Sequence, residues 1–168
     1  MITLVLEAST YAGSAALIEG SRVIAERSVT MRGREHKALM PAVAALLDER
    51  DVVPSEVDRV VCGAGPGSFT SLRIAASIAK GIAAGRAIPL FAVSSLALIV
   101  AGNVTDGPRG PRRYLAVQDA LRGECFVAEF EHHEGAVRQL SAMQMVAYDR
   151  IEAVSTASEP RTVGPELR

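Results

Sequence analysis

The segment 60–85 constrains the fold of this chain more than any other stretch. It reads as a short apolar run, then a loop with three glycines and a proline, then small and apolar residues at helical spacing. Ser68 and Thr70 are candidate caps, because their hydroxyls can accept hydrogen bonds from the unpaired amides of a first helical turn. The segment therefore predicts a strand, a tight loop and a helix over 70–85.

Two nucleotide-binding motifs contain glycine-rich loops that this one could match. A phosphate-binding P-loop needs a lysine directly after its last glycine, but Gly67 is followed by Ser68, and the next lysine is Lys80. A dinucleotide fingerprint needs a glycine at position 68, and Pro66 has no amide to offer a phosphate. Neither motif is present, so we interpret the glycines as serving a tight backbone turn.

The rest of the first hundred residues predicts a mixed sheet. Apolar runs and periodicity predict strands at 2–6, at 14–18 after a turn at Gly13, and near 23–28, then a helix at 35–50, a strand at 57–62, the helix at 70–85, a strand at 90–93 and a helix at 94–102. Three antiparallel strands followed by βα units is the order of an α/β ribonuclease-H-like lobe, which the actin-like ATPase superfamily shares.

A second, abbreviated lobe is predicted after residues 103–111, which are rich in Gly and Pro and lack periodicity. The predicted lobes are 1–103 and 113–168. Strands are expected at 114–118 and 124–131 around a turn at 119–123, with a third strand from Val137, a short helix at 145–154 and a strand at 161–164. The opening order of the first lobe is thus repeated.

Composition limits the class of protein. Of 168 residues, 49% are hydrophobic and the formal net charge is −1, which fits neither a disordered chain nor a protein that grips nucleic acid alone. Charged residues interrupt every apolar run before the roughly 18 residues of a membrane span, and no leader pattern opens the chain, so we expect a cytoplasmic protein. Cys62 and Cys125 are expected to be buried small hydrophobes.

Three sets of polar side chains could belong to a catalytic site or could have structural roles. The histidines, His36, His132 and His133, do not have the spacing of a paired-histidine metal site, and His36 is expected to have a surface or capping role.

The second and third sets are carboxylates and serines. Glu7, Asp119 and Glu124 could be nuclease carboxylates, but no basic surface accompanies them. Ser68, Ser94 and Ser95 lack a nucleophile-elbow motif and are interpreted as helix caps.

The loop and helix resemble those of a known family. Gly-Pro-Gly-Ser-Phe-Thr-Ser-Leu-Arg-Ile at 65–74, Ala-Lys-Gly-Ile-Ala at 79–83 and Val-Ser-Ser-Leu at 93–96 closely resemble the TsaB (YeaZ) family, and similar residues recur at 34–36, 118–120 and 163–164. That family usually has glycine where this chain has Ser71 and Ala75, and Asp-Thr where it has Glu7 and Ala8.

The resemblance implies a role without catalysis. TsaB proteins are the non-catalytic partners of TsaD in bacterial tRNA threonylcarbamoyladenosine biosynthesis, so a scaffold or activator subunit is expected. The implied partners are a TsaD-like catalytic subunit, a TsaE-like ATPase, a second copy when alone, and tRNA only through the complex, with no membrane. No cofactor of its own is expected, and ATP or ADP and metal are expected in TsaD. The alternatives are a small independent ASKHA-type ATPase or kinase, and a homodimeric interaction protein.

A partner-binding surface is predicted on the helices at 70–85 and 35–50. The apolar stripe of the first helix is wider than one packed face needs, and its alanines would allow close helix approach. Arg73 opposes the helix dipole, which indicates a partner or an acidic neighbour. The predicted residues are Ser68, Phe69, Thr70, Leu72, Arg73, Ala75, Ala76, Ala79, Ala83, His36, Leu39 and Val43.

Overall fold

The computed structural model describes residues 1–31, 38–104, 111–154 and 160–165. The chain forms two compact units, Met1–Val93 and Ser94–Arg168. Each unit is described by itself below. None of the helices in these ranges combines the length and the apolar character needed to cross a membrane.

The first unit is built on a five-stranded mixed sheet. Its strands are β1 (Ile2–Glu7), β2 (Ala12–Glu19), β3 (Arg22–Thr30), β4 (Val57–Gly63) and β5 (Leu90–Val93), and its helices are α1 (Leu39–Glu49) and α2 (Phe69–Arg86). The spatial order is β3-β2-β1-β4-β5. β1, β2 and β3 pair antiparallel, while β4 runs parallel to both β1 and β5. The predicted ribonuclease-H-like lobe is confirmed.

Both helices contribute to one hydrophobic core on this sheet. α1 packs on β2 and β3, and α2 packs on β4 and β1. Leu4 and Leu6 of β1 are fully buried against apolar residues from both helices. Because β1 is a central strand, its apolar run supplies the middle of this core.

Two predicted boundaries in the first unit change. Gly13 lies inside β2 rather than in a turn, and a Cβ there would come within 2.8 Å of the Met31 side chain, so the glycine permits close packing. The turn instead occupies the residues between Glu7 and Ala12. α1 begins at Leu39, four residues after the predicted start, and positions 35–37 lie outside the described residues.

The second unit repeats the opening topology of the first. Its elements are α3 (Ser95–Asn103), β6 (Arg112–Leu121), β7 (Glu124–His133), β8 (Ala136–Gln139), β9 (Gln144–Ala147), α4 (Ile151–Val154) and β10 (Arg161–Val163). The order is β10-β6-β7-β8, with β9 also paired to β7. β6, β7 and β8 pair antiparallel, and β10 runs parallel to β6, as β4 does to β1.

Two expectations for the second unit are wrong in detail. Residues 119–121 continue β6, and the turn is only Arg122–Gly123, where both residues have positive φ (59° and 84°) as in a type I′ hairpin. The helix expected at 145–154 is replaced by β9, a 3₁₀ turn at Tyr148–Arg150 and the short α4. Pairing with β7 overrides the helical pattern because it lets Val146 pack on a small apolar cluster.

Helix α3 packs within the second unit, whereas the sequence placed it in the first lobe. Its buried residues Leu96 and Val100 contact a cluster that includes Tyr114 and Phe130. The predicted boundary at 103–113 falls after α3, and positions 105–110 within it lie outside the described residues. The division into lobes 1–103 and 113–168 stays a prediction.

Candidate functional site

The carboxyl ends of β1, β4 and β5 meet at one edge of the first sheet, where α2 begins. Parallel strands bring their carboxyl ends together, and this edge is where open α/β sheets usually bind ligands. Backbone hydrogen bonds join the segments: the Ser68 amide donates to the Ser9 carbonyl at 2.8 Å, and the Ala64 amide donates to the Val93 carbonyl at 2.8 Å. The loop of segment 60–85 is thereby fastened to the β1–β2 turn.

The Glu7 carboxylate occupies the β1–β2 turn. Its Oε1 accepts a hydrogen bond from the Ser9 amide at 2.5 Å. The side chain also lies against Gly63, where an added Cβ would be 2.6 Å from Glu7 Cδ and 2.9 Å from Oε1. An amide that could hold a phosphate oxygen is therefore already paired with an anion of the chain itself.

The serine caps are confirmed in part. The Ser94 hydroxyl accepts a hydrogen bond from the Ala97 amide at 3.4 Å and caps α3. Ser68 takes the cap position of α2, but its hydroxyl donates to the Ser71 hydroxyl at 3.0 Å and makes no side-chain bond to a helix amide. Thr70 lies inside α2, so its predicted capping role is wrong. Ser71 replaces a family glycine, and its hydroxyl supplies this contact.

The two cysteines are buried free thiols, as expected from the sequence. Burial raises the pKa of the Cys62 thiol from its ordinary 9.0 to about 11, and the negative charge of Glu7 adds to the rise while Lys80 opposes it. The pKa of the Cys125 thiol is also raised, mainly by burial and less by the negative charge of Asp119. Thiolates react and thiols do not, so both groups are held in the inert form.

We expect Cys62 to resist alkylation in the folded protein. A pKa two units above the ordinary value lowers the thiolate fraction at pH 8 by about 100-fold. Since the folded-state pKa lies above the unfolded one, the contribution of Cys62 to stability is complete below about pH 9.0 and is lost as the pH rises through about 11. Peptide mass spectrometry after iodoacetamide treatment, with and without urea, measures the rates. Equal rates in folded and unfolded protein would contradict the prediction.

The alanine stripe of α2 faces its own sheet, which corrects part of the predicted partner-binding set. Ala75, Ala79 and Ala83 are buried in the core of the first unit, as are Leu39 and Val43 of α1. Small residues here allow α2 to approach the sheet closely rather than a partner helix. These five residues leave the set of candidate contacts, and His36 lies outside the described residues.

The exposed side of α2 carries the remaining candidates, with Leu72 and Ala76 half-buried beside it. Phe69 is 73% exposed, and the Arg73 guanidinium lies over its ring, 5.2 Å from the centroid, a cation–π contact. A groove of about 400 Å³ runs beside this pair. We name this surface the α2 outer face, and it comprises Phe69, Thr70, Arg73, Ile74, Ser77 and Ile78.

Sequence reasoning missed part of this face. Ile74 and Ile78 belong to the part of the apolar stripe that exceeds one packed face, but neither they nor Ser77 are among the residues predicted for the partner-binding surface. The signal was present, because Thr70, Arg73 and Ser77 are three and four residues apart and so share one side of the helix. Arg73 was expected to serve a partner or an acidic neighbour, and the contact that the structure describes for it is the Phe69 ring.

Two of the carboxylates that could serve a nuclease, Glu7 and Asp119, make separate contacts within their own units. Glu7 belongs to the first unit and contacts the Ser9 amide. Asp119 belongs to the second unit and accepts a hydrogen bond from the Tyr148 hydroxyl at 2.9 Å. Within the described residues, no three His, Cys, Asp or Glu side chains are grouped as metal ligands.

Comparisons with known proteins identify the family. The family model described as "TsaD: tRNA N6-adenosine threonylcarbamoyltransferase" matches residues 30–166. A Bacillus subtilis (strain 168) protein named tRNA threonylcarbamoyladenosine biosynthesis protein TsaB is 32% identical over 95% of this chain and 69% of its own length. The Escherichia coli (strain K12) protein of the same name is 33% identical over 82% of this chain and 58% of its own length.

The fold comparison agrees with the sequence comparison. The solved structure described as YeaZ from Pseudomonas aeruginosa superposes with a TM-score of 0.85 and 29% identity, over 97% of this chain and 75% of that one. The resemblance found in the glycine loop and α2 therefore extends over the whole described fold. This chain belongs to the TsaB (YeaZ) group of the family that the TsaD model describes.

Proposed function

We propose that this protein is a non-catalytic subunit that binds a TsaD-like catalytic subunit and supports the transfer of threonylcarbamoyl to the adenosine beside the anticodon of tRNA. The observation that carries the proposal is the relationship to the Bacillus subtilis biosynthesis protein TsaB, which covers 95% of the chain. In this role the protein works in the cytoplasm, with ATP or ADP and metal held by the partner. A TsaE-like ATPase joins the complex, and the chain pairs with a second copy when alone.

Two features of the turns favour a subunit over an independent ATPase or kinase. A phosphate in the β1–β2 turn would have to displace the Glu7 carboxylate from the Ser9 amide and would meet its negative charge. In the second unit the equivalent hairpin, between β6 and β7, is closed by only Arg122 and Gly123. A two-residue turn leaves little backbone to surround a phosphate.

Reconstitution tests the proposed role directly. The TsaD-like protein of the same organism, a threonylcarbamoyl donor and unmodified tRNA are incubated with and without this chain, and modified adenosine is measured by nucleoside chromatography. We expect modification to depend on both proteins and this chain alone to hydrolyse no ATP. Hydrolysis that survives repurification and disappears in Glu7→Ala would show instead that the chain is an independent enzyme.

The α2 outer face is the proposed contact for the partner subunit. We expect Phe69→Ser to weaken association by about 30-fold, since loss of a large aromatic anchor costs about 2 kcal/mol at an interface. Its effect on folding should stay within about 0.5 kcal/mol, because the ring is exposed. Sedimentation with each candidate partner, the TsaD-like protein and a second copy, measures the association.

Val23→Ser is the matched control for this experiment. Val23 is also an exposed apolar residue, 53% exposed, but it lies on β3 away from α2. An equal loss of association in both variants, or no loss in Phe69→Ser with either partner, would place the interface elsewhere.

A further inference from the structure

A pocket of about 370 Å³ lies in the second unit, where β6 and β10 begin. It is lined by Pro111, Arg112, Arg113, Tyr114 and Arg161. Arg161 and Tyr114 are register partners in the parallel pair, and strand alternation places Arg112 on the same face as Tyr114 and Arg113 on the other. Arginines from both faces of the sheet therefore converge at this end of the two strands.

Tyr114 provides an independent reason to expect a ligand. The residue is 1% exposed, and its hydroxyl has no hydrogen-bond partner among the described residues. Leaving a buried hydroxyl without a partner costs free energy, and such groups in native folds usually mark a bound water or ligand. A hydroxyl can donate to an anionic oxygen, and Tyr114 lines the pocket together with three arginines.

The charged side chains that line the pocket, among the described residues, are all arginines. Among the described residues that line it, none is acidic. Glu131 is the cross-strand neighbour of Arg113, but its Oε1 pairs with Arg138 at 3.1 Å. The chain as a whole has a net charge of only −1, so this concentration of arginine is local.

We propose that this pocket binds a phosphate group. Guanidinium groups bind phosphate through paired N–H donors, and the Tyr114 hydroxyl would donate a further hydrogen bond. The volume lies near the lower end of the range for small-molecule sites, about 300–1,000 Å³, and suits a nucleotide or one segment of a polynucleotide backbone. The pocket lies at the amino ends of its parallel strands, not at the carboxyl ends where this type of sheet usually binds ligands. The proposal does not depend on the function proposed above.

Direct binding measurements on the full chain test this site. Inorganic phosphate and AMP are titrated at constant ionic strength, with chloride as the replacement, and tRNA binding is measured separately by filter retention. Isothermal titration calorimetry measures each affinity, because it needs no reporter group in the pocket and so applies equally to the original protein and to Tyr114→Phe. We expect saturable binding that Arg161→Gln weakens by about 10-fold or more and Tyr114→Phe weakens by about 3- to 10-fold.

Arg22→Gln is the matched control, because Arg22 is an exposed arginine of the first unit and the change in net charge is the same. The affinity of the Arg22→Gln variant for each probe should remain within about twofold of that of the original protein. Binding of phosphate or AMP identifies a small-molecule site, and binding of tRNA alone identifies a backbone phosphate as the source. If none of the three probes binds, or if Arg22→Gln loses as much affinity as Arg161→Gln, the proposal is overturned. Tyr114→Phe keeps the ring that packs in the core, so it decides the question if Arg161→Gln does not fold.

Discussion

Ala79→Glu should abolish the cooperative folding of the first unit. Ala79 is 0% exposed and packs in the core that α2 shares with the central strands. A carboxylate there would be desolvated without a partner, at a cost of several kcal/mol, and it would also overfill a site that holds one methyl group. Small domains are stable by only about 5–15 kcal/mol, so this cost removes most of the margin. Far-ultraviolet circular dichroism and a urea titration measure the loss.

The matched control is Ala84→Glu, which makes the same change on the same helix at an exposed position. It should fold with a urea midpoint close to that of the original protein, apart from a small penalty for an acid near a helix carboxyl end. If Ala79→Glu folded as well as Ala84→Glu and lost only its association with other chains, the alanine stripe would be an outer surface and the packing described above would be incorrect.

Gly63→Ala should destabilise the first unit by about 1–3 kcal/mol. The added methyl group would lie 2.6 Å from Glu7 Cδ, closer still to Oε2, and far inside van der Waals contact. Because the clashing atoms are the end of a flexible side chain, the expected cost is that of the contacts Glu7 loses when it moves, chiefly its hydrogen bond from the Ser9 amide, which links the β1–β2 turn to the end of β1. The shift in the urea midpoint relative to the original protein measures this cost.

A double-mutant cycle with Glu7→Ala identifies the cause of that cost. Removing the carboxylate removes the clash, so Gly63→Ala should cost at least about 1 kcal/mol less in the Glu7→Ala background than alone. Gly85→Ala is the matched control, because a Cβ at Gly85 meets nothing within 4 Å. Additive effects in the cycle would show that Gly63 is required for a reason other than contact with Glu7.

Glu7 and Gly63 also bear on the proposal that this fold serves as a subunit without nucleotide chemistry of its own. The sheet edge at the ends of β1 and β4 keeps the geometry of a ligand site, with a tight loop and a helix amino end beside it. Glu7 places a carboxyl group at that edge and accepts a hydrogen bond there from a backbone amide. The Glu7→Ala variant would make this amide available. In the ATPase control of the reconstitution experiment, both a loss and a gain of ATP hydrolysis in Glu7→Ala would therefore be informative.

Local pattern was sufficient to predict much of this protein. Short-range periodicity and turn residues identified all five strands and both helices of the first unit in the correct order, because each element signals itself within about 5–15 residues of sequence. The glycine loop and the helix after it also carried the family resemblance. Cys62 and Cys125 were correctly expected to be buried, since isolated thiols on apolar strands behave as small hydrophobes.

Long-range contacts decided what the pattern left open. The stripe of α2 contains both alanines and isoleucines, and only the position of the sheet determines that Ala75 and Ala79 face inward while Phe69 and Arg73 remain outside. Residues 144–147 became a strand because β7 offered an edge to pair with. The contact of Glu7 with Gly63 and the pairing of Arg161 with Tyr114 each join residues more than 40 positions apart. Such sites exist only once strand register brings distant segments together, and a sequence read locally contains no signal for that distance.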